Sequence, residues 1–97
     1  MGEPLFERLC LIGAGLIGGS IARVARERGD IARVVVAHSR RPETLARIRE
    51  LGFADAVEAD PARAVREADC VILCVPVGAY AGVMESIAPH LMAGAVL

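Results

Sequence analysis

A chain of 97 residues is long enough for one small domain, and 55% hydrophobic with 24% charged residues is typical of compact soluble proteins. The formal net charge of -1 gives no general electrostatic reason to expect a nucleic acid or an anionic membrane as a partner. Residues 1–8 lack the basic start and long apolar core of a secretory signal, and no apolar run approaches the roughly 20 residues of a membrane span. We therefore expect a cytoplasmic protein without a membrane partner.

Four short apolar runs alternate with helical patterns, which is typical of crossover units in a parallel sheet. These runs predict strands over residues 9–12, 34–37, 54–57 and 70–75. The first and fourth runs are continuously apolar, as expected of strands that helices cover on both faces. The alternation predicts a doubly wound α/β sheet with strand order 3-2-1-4-5, of which the fifth strand only begins at residues 94–97. We therefore expect the natural protein to continue beyond them.

Helical patterns fill the gaps between the predicted strands. The first helix is predicted over residues 16–28, and the second runs from Pro42 to a terminating glycine, Gly52. In the second helix we expect Glu43, in the first turn, to pair with Arg47. The expected buried stripe of this helix comprises Leu45, Ile48 and Leu51.

Two further helices follow the same sequence signals. Asp60 and Pro61 are expected to cap and open a third helix that ends near Ala68. A fourth helix follows Pro76, and its apolar positions have the spacing of core packing. These positions are Tyr80, Val83, Met84, Ile87 and Leu91. We interpret this stripe as core rather than as a ligand contact.

A glycine pattern, GxGxxG, stands between the first predicted strand and the first predicted helix. Gly13 permits the tight turn, Gly15 lets a pyrophosphate approach the backbone, and Gly18 lets the helix pack closely on the strand. The free N–H groups at the start of the helix then face the phosphates. The pattern alone is weak, but this context predicts a dinucleotide site in a Rossmann-type fold, with a purely structural turn as the alternative. The predicted contacts are Gly13, Ala14, Gly15, Leu16, Ile17 and Gly18.

The residues after the second strand bear on the choice of cofactor. An NAD site usually has an acidic residue there for the ribose hydroxyls, whereas an NADP site supplies cations for the 2′-phosphate. This chain has Ser39 near the acidic position, followed by Arg40 and Arg41, which favours NADP over NAD. The alternative is a solvated loop in which the arginines contact no ligand. His38 could stack near an adenine ring, but we interpret this lone histidine as incidental.

The turn after the fourth strand is the second predicted cofactor contact. Val75, Pro76 and Val77 lie at the carboxyl edge beside the first strand, where the topological switch of such a sheet opens a ligand crevice. We predict that the backbone of this turn lines the cofactor. The alternative is a strand-ending turn without a ligand.

The cysteines and histidines of the chain do not have the spacing of metal ligands. Cys10, Cys70 and Cys74 lie in apolar, strand-like runs, and we expect buried, reduced thiols. His90 is expected to be a surface residue near a helix end. The sequence therefore predicts no metal site, and we assign a catalytic role to no residue of this chain.

Two segments, LIGAGLIGGSIA (residues 11–22) and ADCVILCVPV (residues 68–77), resemble the amino-terminal domain of the prephenate/arogenate (cyclohexadienyl) dehydrogenase family of tyrosine biosynthesis. The resemblance implies oxidative decarboxylation of prephenate or arogenate with NAD or NADP. It also implies cofactor contacts at the glycine turn and at Val75, Pro76 and Val77. Ser39 is a departure, because many members of the family have Asp there.

In that family the catalytic His and the substrate-binding Arg lie beyond the fifth strand, so the resemblance implies that they follow Leu97 and that this segment alone is inactive. It also implies a mostly helical second domain that forms a homodimer. Two alternatives remain open at the level of sequence. One is another NADP reductase of the β-hydroxyacid or imine type, and the other is a non-catalytic nucleotide-sensing module.

Overall fold

A computed structural model describes residues 5–13, 23–24, 27–28, 31–52, 54–75 and 77–91. In these ranges four parallel strands form one sheet in the order β3-β2-β1-β4. The strands are β1 (Phe6–Ile12), β2 (Ala32–His38), β3 (Ala56–Glu58) and β4 (Cys70–Leu73). This order confirms the predicted doubly wound α/β class for the first four strands. The predicted fifth strand, residues 94–97, lies outside the described residues.

The helices whose bounds the structure gives are α1 (Pro42–Leu51), α2 (Pro61–Ala64) and α3 (Tyr80–Ile87), and residues 23–24 and 27–28, within the first predicted helix, are also helical. Short 3-10 turns precede and follow α3, at Val77–Ala79 and Ala88–His90. Most of the first predicted helix, residues 16–28, lies outside the described residues. Within the described ranges, no helix is long and apolar enough to cross a membrane.

The sheet has an apolar core on each face, because successive side chains of a strand point to opposite sides. Leu9 and Leu11 of β1 belong to the cluster that includes Ile48 of α1. Cys10 and Ile12 belong to the opposite cluster. That second cluster also includes Ala64 of α2 and Val83 and Ile87 of α3. The continuous apolar run of β1 is therefore explained by burial on both faces.

The strand register brings the carboxyl ends of the strands to one edge of the sheet. Ile12 of β1 is level with His38 of β2 and with Leu73 of β4, and His38 is level with Glu58 of β3. The chain adds β2 and β3 on one side of β1 and then adds β4 on the other side. The switch point of the sheet therefore lies between the carboxyl ends of β1 and β4. The loops that follow these strands are thus placed around one crevice.

The start of α2 is as predicted, but its end is not. The side chain of Asp60 accepts a hydrogen bond from the Ala62 N–H (3.0 Å), which is the expected N-cap. The helix ends at Ala64 rather than near Ala68. Glu67 has a left-handed backbone (φ 65°), which a continuing α-helix does not allow. The chain therefore leaves the helix one turn earlier than its apolar pattern indicated.

Several side-chain expectations for α1 and α3 are wrong. Leu51 is 46% exposed and Tyr80 is 39% exposed, although both were expected in buried stripes. Each stands where the chain changes direction, Leu51 before a left-handed glycine and Tyr80 after a 3-10 turn. Arg47 pairs with Glu50 (3.8 Å) instead of with Glu43, since i,i+3 neighbours also share a helix face.

Candidate cofactor site

A cavity of about 630 Å³ lies at the carboxyl edge of the sheet. It is bounded by the loops after β1, β2 and β4, by the start of α1 and by one side of α3. Five of the residues predicted from sequence line it, namely Gly13, Ser39, Arg40, Arg41 and Val75. The topology therefore brings residues from three separate segments of the chain to one cavity, at the place where ligands bind in open α/β sheets.

Gly13 directly follows β1 and has a left-handed backbone with φ of 79°. A Cβ atom at this position would collide with Cγ1 of Val75 and would lie 3.4 Å from the Cys74 carbonyl oxygen. Both the backbone angle and the lack of space therefore require glycine. This result agrees with the predicted tight turn, and it also shows that the loop after β4 closes against the turn.

His38 holds this turn from the other side. The backbone N–H of Gly13 donates a hydrogen bond to Nδ1 of His38 (3.1 Å), across 25 residues of sequence. The His38 side chain is only 3% exposed, and its Nε2 is buried without a hydrogen-bond partner among the described residues. The interpretation of His38 as incidental is therefore wrong, because the residue makes a specific contact with the first glycine.

The surroundings of His38 favour its neutral form. Burial is the main cause that lowers the pKa of His38 below its ordinary value, and the charge of Arg40 lowers this pKa further. The Ala59 backbone and the carboxylates of Asp60 and Glu58 act in the opposite direction without cancelling these effects. A neutral imidazole that accepts a hydrogen bond at Nδ1 carries its proton on Nε2.

Ser39 organises the loop that carries the two arginines. Its side chain is 7% exposed, and its hydroxyl oxygen accepts a hydrogen bond from the Arg41 N–H (3.2 Å). Its own N–H donates to the Glu58 carbonyl oxygen (3.4 Å), which fastens the loop to β3. Arg40 and Arg41 are exposed at the cavity, and neither forms an ion pair with another described residue. Two cationic side chains therefore stand at this end of the cavity.

Two carboxylates near His38, those of Glu58 and Asp60, make local contacts. Glu58 accepts a hydrogen bond from the Asp60 N–H (3.2 Å), and Asp60 caps α2 and lies 3.8 Å from Arg63. These contacts do not involve Arg40 or Arg41, which are exposed at the cavity. An anionic group such as a phosphate is the natural ligand for this end.

The three cysteines are free thiols, as predicted. Burial raises the pKa of Cys10 to about 12, and burial also raises the pKa of Cys70 and of Cys74. Cys74 lines the cavity, but a protonated, half-buried thiol is a poor nucleophile. His90 is exposed, as expected. Within the described ranges, no three His, Cys, Asp or Glu side chains are grouped to hold a metal ion.

The remaining predicted contacts fall into two groups. Ala14, Gly15, Leu16, Ile17, Gly18 and Pro76 lie outside the described residues. Val77 begins the 3-10 turn whose other two residues, Gly78 and Ala79, line the cavity.

Sequence reasoning missed Thr44, Pro61 and Ser86, which also line the cavity. Thr44 and Pro61 each stand in the first turn of a helix that follows a strand. This position next to the carboxyl edge is a signal that could have identified them. Ser86 lies inside α3, away from the helix start, so its position in the sequence gives no such signal.

Comparison with known proteins identifies dehydrogenases and an oxidoreductase family as similar to this chain. The family model described as NADP oxidoreductase coenzyme F420-dependent matches residues 8–97. The cyclohexadienyl dehydrogenase of Zymomonas mobilis is 39% identical over 87 residues, which cover 90% of this chain and 29% of that enzyme. These matches confirm the resemblance that the sequence motifs indicated.

Solved structures give the same result for the fold. Arogenate dehydrogenase of Synechocystis superposes with a TM-score of 0.82 at 28% identity, over 91% of this chain and 30% of that one. Prephenate dehydrogenase from A. aeolicus, in complex with hydroxyphenyl propionate and NAD+, superposes with a TM-score of 0.81 over 92% of this chain and 31% of that one. At 23% identity, the second likeness shows the fold alone. The chain thus spans about three tenths of the length of these dehydrogenases.

Proposed function

We propose that this chain is the cofactor-binding part of a dehydrogenase that oxidises prephenate, arogenate or both. The chain belongs to the family described as NADP oxidoreductase coenzyme F420-dependent, and the proposal proceeds from that membership. The observation that carries this proposal is the cavity at the switch point of the sheet, bounded by the Gly13 turn and by two exposed arginines, Arg40 and Arg41. Two relatives that it resembles over most of its length are named as a cyclohexadienyl dehydrogenase and an arogenate dehydrogenase.

The residues at the cavity fit a dinucleotide. Gly13 leaves no room for a side chain at the turn, so backbone rather than side chain meets the pyrophosphate. Thr44 in the first turn of α1 and the arginines after β2 bound the end where an adenosine ribose would lie. Val75 closes against Gly13 and borders the opposite side of the turn.

We further propose that the cofactor is NADP rather than NAD. Ser39 takes the position of the usual acidic residue, and its hydroxyl oxygen is engaged with the Arg41 N–H (3.2 Å). Arg40 and Arg41 offer planar donor groups to a 2′-phosphate, and one such contact contributes roughly 1.5–3 kcal/mol. This difference corresponds to a ten- to hundredfold preference.

In this proposal the chain binds and orients, and the bond-breaking groups belong to the rest of the protein. The nicotinamide ring, when bound, accepts the hydride from the carbinol carbon of the substrate. The hydroxyl proton passes to a base, the bond to the ring carboxylate breaks to release CO₂, and the electron pair of that bond completes the aromatic ring. The resulting phenolate oxygen then takes the proton back. His38 is buried against the glycine turn, so we assign the base to neither this residue nor the exposed His90.

The activity is tested with the full-length protein, which is supplied with prephenate or arogenate and with NAD or NADP while nicotinamide absorbance is followed. We expect reduction of NADP with at least one of the two substrates. A folded protein that reduces neither nucleotide with either substrate contradicts the proposed reaction.

The cofactor preference is tested by replacing Arg40 with Ala and measuring the Kd of NADP and of NAD. We expect the variant to bind NADP roughly ten- to hundredfold more weakly and NAD almost unchanged, because only NADP carries the 2′-phosphate. Arg49→Ala is the matched control, since Arg49 is an exposed arginine in the last turn of α1, at the end of the helix away from Arg40. Equal weakening of both nucleotides in Arg40→Ala would overturn the preference for NADP.

We also propose a homodimer and a cytoplasmic location for the whole protein, on the resemblance to its relatives alone. Light scattering of the full-length protein measures the first of these directly, and a monomeric mass contradicts it.

A further inference from the structure

The hydrogen bond between Gly13 and His38 joins two parts of the cavity that sequence alone treats as independent. The turn after β1 faces the pyrophosphate in the proposed function, while the loop after β2 carries Ser39 and the arginines. His38 is the last residue of β2 and is level with Ile12, the last residue of β1. Its side chain therefore reaches one residue beyond its own register position, onto the Gly13 N–H (3.1 Å).

From this geometry we infer that His38 is a positioning residue for dinucleotide binding, which sets the Gly13 turn against the Ser39 loop through its neutral Nδ1. The inference rests on the proposed dinucleotide site and adds a residue to it. His38 acts through Gly13 and is not itself placed against the ligand, because its side chain is 3% exposed.

The contact is needed because Gly13 follows the last residue of β1, and its N–H donates to the His38 side chain. A buried N–H without an acceptor costs free energy, so loss of the imidazole nitrogen would let the turn shift to find another acceptor. Val75 also packs against Gly13, since its Cγ1 stands where a Cβ of this residue would lie. His38 and Val75 therefore hold the turn from two sides.

The contact also makes binding depend on pH. The neutral imidazole accepts the Gly13 hydrogen bond at Nδ1, whereas an imidazolium has two N–H groups and cannot accept. The charged groups that face His38 are Arg40 on its own loop, Glu58 at the end of β3 and Asp60 before α2. Burial and Arg40 lower the pKa of His38, so the contact is intact at neutral pH and is lost on acidification below its ordinary range.

The test compares three variants of His38 by their Kd for NADP and for NAD in the full-length protein. His38→Leu and His38→Gln have no acceptor at the Nδ1 position, and we expect both to bind each nucleotide roughly tenfold more weakly. His38→Asn places its amide oxygen where Nδ1 stands, and we expect it to restore binding to within about threefold of the wild type. Thermal unfolding identifies any variant that does not fold. If His38→Leu is unfolded, His38→Gln takes its place in the comparison.

A pH profile separates this role from simple packing. With NAD, which has no 2′-phosphate that would itself titrate near pH 6, we expect wild-type binding to weaken only as the pH falls below about 6.5, and we expect the Asn variant to lose this dependence because an amide does not titrate in this range. His90→Asn is the matched control, because the chain has only 2 histidines and His90 is exposed in the turn after α3. That control should keep the wild-type profile.

The outcomes are distinct. A folded wild-type protein that binds neither nucleotide contradicts the proposed function and this inference with it. Wild-type binding that the Leu and Gln variants retain at full strength overturns the inference alone. An Asn variant that binds as weakly as the Leu variant, or that keeps the wild-type pH profile, overturns it as well.

Discussion

Gly13 shows how much of the site depends on single residues. Its left-handed backbone, its lack of a Cβ beside Val75 and its hydrogen bond to His38 are three separate constraints on one position. Only the first was foreseeable from the glycine pattern, because the other two involve residues far away in the sequence.

Replacing Gly13 with Ala tests these constraints together. A left-handed backbone costs an L residue about 1–2 kcal/mol, and the new methyl group must also displace Val75. We expect a loss of at least that much in the free energy of unfolding, measured in urea, and a loss of nucleotide binding. Gly82→Ala is the control for stability, since a Cβ there meets nothing within 4 Å and Gly82 lies inside α3. A Gly13→Ala protein as stable as the wild type would contradict the account of this turn.

Asp69 has a comparable structural role at the opposite edge of the sheet. Its carboxylate accepts hydrogen bonds from the N–H groups of Glu7 (2.9 Å) and Arg8 (2.9 Å). Burial opposes ionisation of this carboxyl, but the hydrogen bonds from the backbone outweigh it and lower the pKa of Asp69. A carboxyl whose pKa is lower in the folded than in the unfolded state stabilises the fold above its unfolded pKa, and this stability is lost as the pH falls through the folded pKa.

For Asp69→Asn we therefore expect a loss of about 1–2 kcal/mol at pH 7, near the lower end for charged hydrogen bonds because the site is partly exposed. The difference from the wild type should shrink as the pH falls below about 4. Urea unfolding at both pH values measures it, with Glu85→Gln as an exposed control on α3. A difference that grows at acid pH would show that the sign of the pKa shift is wrong.

At the scale of elements, the ends of helices decide where the chain enters the site. α1 begins at the loop with the arginines and ends at Gly52, whose φ is 70° and whose N–H donates to the carbonyl oxygens of Ile48 (3.0 Å) and Arg49 (3.2 Å). A Cβ at Gly52 would meet nothing within 4 Å. The backbone angle alone therefore explains this glycine.

Because only the backbone angle is at stake, we expect Gly52→Ala to destabilise the protein by about 1 kcal/mol and Gly52→Asn by less, since Asn tolerates the left-handed region. Neither change should alter the Kd of the nucleotide, because Gly52 lies at the far end of α1 from the cavity. Thermal unfolding and nucleotide titration check the two statements. Equal stability of the Ala variant and the wild type would contradict this assignment.

Local sequence signals predicted the strands and the starts of helices, because apolar runs and capping residues mark them directly. The alternation of strands and helices predicted the strand order, and Asp60 with Pro61 predicted the start of α2. The end of α2 was not foreseeable, because its pattern stays helical until Glu67 takes a left-handed backbone. The exposure of Leu51 and Tyr80 depends on how neighbouring elements cover the helix ends, which helical spacing does not contain.

At the scale of the whole molecule, the topology brings separate segments of the chain to one cavity, which no single motif does. The order β3-β2-β1-β4 brings the ends of β1, β2 and β4 to one edge, so that residues 13, 38–41 and 74–75 surround one cavity. The sequence predicted where this cavity lies and five of the residues that line it, because strand-end loops meet there in any parallel sheet of this order. It did not predict the contact of His38 with Gly13, since such a contact depends on side-chain direction and not on spacing.

The most direct measurement of the central claim is a titration of the protein with NADP, followed by the chemical shifts of its backbone amides. The account predicts that the largest changes occur at the carboxyl edge, at Gly13, His38, Ser39 and Thr44, and that Phe6 and Ala32 at the amino ends of β1 and β2 change little. Shifts concentrated at the amino edge, or no shifts at saturating NADP and NAD in a folded protein, would contradict it.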